Sequence, residues 1–125
     1  MERNPVGWFE IYVNDMDRAK EFYETVLQAT LTELPAPDGN GEMFAFPGNE
    51  NAPGTSGALV KHEMGVPGPS GALLYFSSAD CATEIGRVEA AGGKVLMPKF
   101  SIGDFGFCGI VSDTEGNTIG FHSMS

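Results

Sequence analysis

Ile11-Tyr12-Val13-Asn14-Asp15 and Phe76-Ser77-Ser78-Ala79-Asp80 decide the fold, because each opens one of two similar half-chains. Each is a short run that ends on an Asp, and each Asp stands where a helix N-cap belongs. After Asp15, the apolar residues Ala19, Phe22, Tyr23 and Val26 recur at the three- and four-residue spacing of one helix face, running to about Leu27. After Asp80, Ile85 and Val88 do the same, and Gly92-Gly93 close a helix that runs to about Ala91. The closing segments also match: Gly57-Ala58-Leu59-Val60-Lys61-His62-Glu63-Met64 against Asn117-Thr118-Ile119-Gly120-Phe121-His122-Ser123-Met124. This alignment makes His62 and His122 counterparts. A half-chain of this size buries its apolar face poorly alone, so two copies are expected to pack together and enclose a cleft.

Working outward, Trp8–Val13 alternates as a strand, with Phe9, Ile11 and Val13 on one face and Trp8, Glu10 and Tyr12 on the other. Strands are expected at Thr30–Leu34, Met43–Phe46 and Gly57–Glu63, with a turn at Asp38-Gly39-Asn40-Gly41 and a loop from Pro47 to Ser56. Gly65–Gly71 joins the halves. In the second half the strands are Ala72–Ser78, Lys94–Met97 (stopped by Pro98), Phe107–Ser112 and Thr118–Ser123, with a turn at Asp113-Thr114-Glu115-Gly116-Asn117. The order is βαβββ–βαβββ: one α+β domain over residues 1–125, with modules at about 5–64 and 71–125.

The chain has 125 residues, 42% of them hydrophobic, and a formal charge of −10. An acidic surface excludes nucleic acid as a partner, since phosphate binding needs a basic one, and favours neutral or cationic small molecules. No apolar run is long enough to span a membrane, and Met1-Glu2-Arg3-Asn4-Pro5 does not read as a secretion signal. With only Cys81 and Cys108, distant in sequence, the expectation is two reduced thiols in a cytoplasmic protein.

Val13-Asn14-Asp15 with Phe22-Tyr23, then Ala90-Ala91-Gly92-Gly93-Lys94-Val95 and Asp113-Thr114-Glu115-Gly116-Asn117, resemble the vicinal oxygen chelate superfamily. This group includes glyoxalase I, extradiol dioxygenases, fosfomycin-resistance and bleomycin-binding proteins. The resemblance covers nearly the whole chain. It implies a mixed sheet curled around a cavity, a homodimer, and in metal-dependent members a divalent ion that chelates two substrate oxygens. The ligand positions it implies fall on Trp8, Leu73, Val60 and Gly120, none of which can ligate. No cofactor is therefore expected.

A different set, Glu10, His62 and His122, shares the strand faces of those positions and offers two His and a carboxylate. The alternative is that these His lie at strand ends, too far apart to share an ion. Trp8, Tyr12, Tyr75 and Phe105 or Phe107 are candidates to line an aromatic pocket, or else pack in the sheet or a dimer interface. Glu10, among Trp8, Phe9, Ile11 and Tyr12, is the candidate general base or cation partner; a salt bridge to Arg3 or Lys61 would serve it equally. Gly103, Gly106 and Gly109 leave room for a flap over the cavity. Two functions follow. One is a metal-free, bleomycin-resistance-type protein that binds a small aromatic or cationic molecule. The other is a lyase, isomerase or dioxygenase that uses Glu10, His62 and His122.

Overall fold

The structure is a computed structural model, and it describes residues 4–36, 39–69 and 71–125. Arg3 and Asp38, named above for an ion pair and a turn, lie outside the described residues. The element order is β1 (Glu10–Tyr12), α1 (Met16–Leu27), β2 (Thr32–Leu34), β3 (Glu42–Ala45) and β4 (Ala58–Lys61). The second module repeats it as β5 (Leu74–Ser77), α2 (Cys81–Val88), β6 (Lys94–Ser101), β7 (Phe107–Ser112) and β8 (Thr118–Ser123). Each module is a four-stranded mixed sheet, β1-β4-β3-β2 and β5-β8-β7-β6, whose first two strands run parallel. The expected α+β fold of two βαβββ modules is therefore present.

Both helices begin where the sequence placed them. Asp15 takes an extended backbone and accepts from the Arg18 N–H at 3.1 Å; Asp80 does the same for Ala82 N–H at 3.0 Å. Asp15→Ala is expected to cost about 1 kcal/mol, read as a lower urea midpoint at unchanged slope. Lys99, at 2.8 Å, and the Ala82 N–H hold the Asp80 carboxyl below its ordinary pKa. The α1 stripe of Met16, Ala19, Phe22, Tyr23 and Val26 is fully buried, and each large side chain there contributes about 1.5–3 kcal/mol.

Pro98, expected from sequence to stop β6 after Met97, does not do so. That strand continues to Ser101, with register shifts on either side of Met97. It lies at the sheet edge, where a residue without an N–H is tolerated at an irregular position. A 3-10 turn at Gly103–Phe105 follows, which the sequence pattern did not mark. Gly109 belongs to β7, not to a flap: a Cβ there would meet the Ile85 side chain at 2.0 Å.

One core joins the modules. It contains α1, α2 and the inward faces of both sheets: Ile11, Val13, Leu59 and Phe46 from the first, Val111, Ile119 and Phe121 from the second. Phe76 of β5 packs against Phe9, Tyr23 and Phe46 of the first module, with ring centroids 6.0, 6.1 and 5.4 Å away. The modules thus meet through helices and core faces. Each sheet turns its other face away from this core, and the cavity on the first of them, expected between the two copies, is lined by first-module residues alone.

Candidate functional site

Alternation along β1 puts Glu10 and Tyr12 on the open face, while Ile11 goes to the core. The register then builds two rows across the first sheet. One runs Glu10, Ala58, Ala45, Thr32; the next runs Tyr12, Val60, Met43, Leu34. Met43, Ala58 and Val60 form a small apolar floor, against which Tyr12 and Leu34 pack. Above it lies a cavity of about 290 Å³, lined by Glu10, Tyr12, Ala36, Asn40, Glu42, Met43, Val60, His62 and Met64.

Glu10 is exposed, and both its oxygens are held. Tyr12 Oη donates to Oε1 at 3.1 Å and Trp8 Nε1 to Oε2 at 3.4 Å. Burial, then the hydrogen bond to Glu10 and its charge, raise the Tyr12 pKa, so Tyr12 remains a donor at neutral pH. Neither ion pair weighed for Glu10 is observed: Lys61 forms none with it among the described residues, and Arg3 is outside them. His62 accepts from the Met64 N–H at 3.0 Å through Nδ1, which places the ring proton on Nε2 when the ring is neutral.

Of the sequence candidates, the structure brings Trp8, Glu10, Tyr12 and His62 together. Tyr75 and His122 lie on the open face of the other sheet. Tyr75 stands beside Gly120, and His122 between Ser77 and Cys108. His122 Nε2 meets the Phe105 carbonyl at 2.6 Å, and the Phe105 side chain is exposed. Phe107 is not with them. It pairs with Ser123, packs on the core and carries Lys99 Nζ 4.6 Å from its ring centroid. The supposed equivalence of His62 and His122 also fails. With Asp15 and Asp80 both capping helices, Glu10 matches Tyr75; Glu10 pairs with Ala58, and Tyr75 with Gly120. His122 is thus the counterpart of Val60, which pairs with Tyr12 as His122 pairs with Ser77. A slip of two residues keeps every side chain on its face, so alternation could not reveal it.

The side chains weighed for a divalent ion are, among the described residues, not grouped to hold one. Among the described residues no three His, Cys, Asp or Glu groups could hold one, so Glu10, His62 and His122 do not form the set weighed from sequence. At the positions implied by resemblance, Trp8 offers only a donor, which it gives to Glu10. Gly120 could not become a ligand without rearrangement, because its Cβ would lie 2.5 Å from two carbons of the Tyr75 ring. The residues missed from sequence are Ala36, Asn40, Glu42, Met43 and Met64, which reach the cavity through β3 and the loops, not through any motif.

A profile of the Glyoxalase/Bleomycin resistance protein/Dioxygenase superfamily matches residues 6–121. Among curated proteins, the provisionally named glyoxylase CFP32 of Mycobacterium tuberculosis is 27% identical over 118 residues. The alignment takes in 91% of this chain but 43% of that protein, so the chain spans less than half the length of the curated relatives it matches. Among solved structures, TnmS3, an antibiotic-binding protein from Streptomyces sp. CB03234, is 28% identical with a TM-score of 0.71, covering 100% of this chain and 99% of that one. Glyoxalase I from Zea mays shares the fold at a TM-score of 0.73 and 21% identity, over 96% of this chain and 46% of that one. With a profile match over nearly its whole length and the paired βαβββ modules in place, the chain belongs to the glyoxalase/bleomycin resistance protein/dioxygenase superfamily.

Proposed function

We propose that this chain is a small-molecule-binding protein of the bleomycin-resistance type, which takes an aromatic or cationic ligand on the open face of its first sheet and needs no divalent metal. One observation carries the reading: a cavity with an apolar Met43–Val60 floor and two exposed carboxylates, of which Glu10 is oriented by Tyr12 and Trp8. Apolar walls with a few placed polar groups are what a ligand pocket requires. The similarity to TnmS3, an antibiotic-binding protein, supports the same class, as does the acidic charge of the chain. Fold alone supports neither binding nor catalysis.

The second sheet's open face carries Tyr75 and Met97, 44% and 48% exposed, with Leu73 and Phe105 also exposed. Uncovered apolar groups of this kind mark an interface, and a homodimer in which a second copy covers them is part of the proposal. Sedimentation should give a mass of two chains; a monomer at high concentration removes this part. No helix among the described residues is long and apolar enough to cross a membrane. Cys81 and Cys108 are buried free thiols, which suits the reducing cytoplasm.

The test is a thermal-shift screen of aromatic and cationic compounds on protein treated with a chelator, with elemental analysis alongside. Ligand-dependent stabilisation that survives chelation is the expected result. Stoichiometric metal whose removal abolishes both ligand stabilisation and a measurable reaction would overturn the proposal in favour of a metal-dependent lyase or dioxygenase.

A further inference from the structure

We infer that the cavity on the first module's open face and the groove beside it are two halves of one site, and that the ligand is a single molecule with a flat aromatic end and an ammonium or amidinium end. The inference rests on the proposed binding function and deepens it. The groove, of about 910 Å³, is lined by Trp8, Leu34, Ala45 and the loop around Asn49, Pro53 and Thr55. It meets the cavity at two places. Leu34 lines the groove and packs on the cavity floor. Trp8 lines the groove and donates to Glu10, which lines the cavity.

Between the two halves, the sheet carries its smallest open-face residues. Ala45 and Ala58 pair directly, next to Glu10, so the step from cavity to groove is made of small side chains, with Ala58 fully covered and Ala45 itself lining the groove. Trp8 is 44% exposed although its indole N–H is tied to Glu10, which leaves ring surface for stacking. Each Glu10 oxygen accepts one recorded donor and keeps lone-pair capacity for a cation. A neutral aromatic would desolvate this carboxylate without replacing its water, and an anion would add repulsion. An aromatic cation answers both halves, with its ring on Trp8 and its positive end at Glu10.

Trp8 is the only tryptophan, so its emission reports the groove directly. Four probes separate the contributions: phenylbutylamine, phenylbutanol, phenylbutanoate and hexylamine. The amine bearing a ring is expected to change Trp8 emission saturably and to bind about tenfold tighter than the alcohol or hexylamine, with the carboxylate weakest. Glu10→Gln should remove the preference of the amine over the alcohol while leaving the circular dichroism spectrum unchanged. Equal binding of phenylbutanoate, amine binding by calorimetry without a Trp8 response, or no binding of any probe would overturn the inference. If a wider panel then yields a ligand that stabilises the protein without moving Trp8 emission, the binding function stands and only the two-part site falls. If nothing in that panel stabilises the protein, both fall.

Discussion

Asp113→Ala is expected to destabilise the protein by about 3–5 kcal/mol, because several buried donors lose their acceptor at about 1–3 kcal/mol each. That loss would lower the melting temperature by about 10 °C or more. Asp113 is 4% exposed. Its Oδ1 accepts from the backbone N–H groups of Glu115 and Asn117, both at 2.8 Å. Its Oδ2 accepts from Tyr23 Oη at 2.6 Å and from Asn117 Nδ2 at 3.0 Å. Tyr23 belongs to α1 of the first module and is wholly buried, so truncation would strand its hydroxyl with no access to water. The same Asn117 donates to the Tyr12 carbonyl at 2.8 Å and accepts from Gly68 N–H in the linker. The turn therefore fastens the strand that bears Glu10 and Tyr12. Tyr23→Phe should cost far less, and the double variant should lose less than the sum, because Phe leaves no hydroxyl to strand. Urea titration of the four proteins measures this coupling, and strict additivity would show that the pair does not act as a unit.

The same contact fixes a response to base. Burial, then the charge of Asp113 and its hydrogen bond, push the Tyr23 pKa well above its ordinary value of 10.0. A pKa raised by folding gives stability that is complete below the unfolded value and is lost as pH climbs beyond it toward the folded one. The wild type should therefore lose stability above about pH 10 more steeply than Tyr23→Phe.

The parts of this architecture that were legible in sequence are the ones written in local chemistry. Asp15 and Asp80 sit at helix caps, the spacing from Ala19 to Val26 sets a buried stripe, and alternation from Trp8 to Tyr12 assigns the strand faces. The same alternation placed Glu10, Tyr12 and His62 on one face, where the cavity lies. What could not be read depends on relations between strands. Register decided that His122 matches Val60 and not His62, and a two-residue slip leaves no trace in a period-two pattern. Phe107 was misplaced for a related reason. It sits at the start of β7, where its pairing with Ser123, not its own neighbours, sends it to the core face. How the modules pack was also silent, because the core that joins them is assembled from residues far apart in sequence, such as Phe46 and Phe76. A helix-capping role for Glu115 was equally unreadable: its partners lie about a hundred residues away.

That remote cap yields the second large effect. Glu115 Oε1 accepts from the Asn14 and Asp15 N–H groups at 2.8 and 2.9 Å, and Oε2 pairs with Arg18 Nε at 2.7 Å. A carboxylate of the second module thus closes the start of the first module's helix, where a negative charge also suits the helix dipole. Its side chain has no solvent exposure. Burial alone would raise its pKa, but the Arg18 guanidinium and the two backbone donors outweigh this and hold the pKa below the ordinary 4.5. A lowered pKa gives stability that is complete above the unfolded value and fades as pH falls through the folded one. Glu115→Gln is expected to cost about 2 kcal/mol at about pH 7, because the amide can serve one donor set but presents its own N–H groups to Arg18. Arg18→Ala should cost less, since Arg18 is largely exposed and its charge is screened. The discriminating measurement is the pH dependence of urea unfolding. The gap between wild type and Glu115→Gln should narrow steadily as pH falls below the ordinary 4.5 and through the lowered folded value. A gap that stays constant with pH would mean that Glu115 acts through packing alone and that its charge does not join the modules.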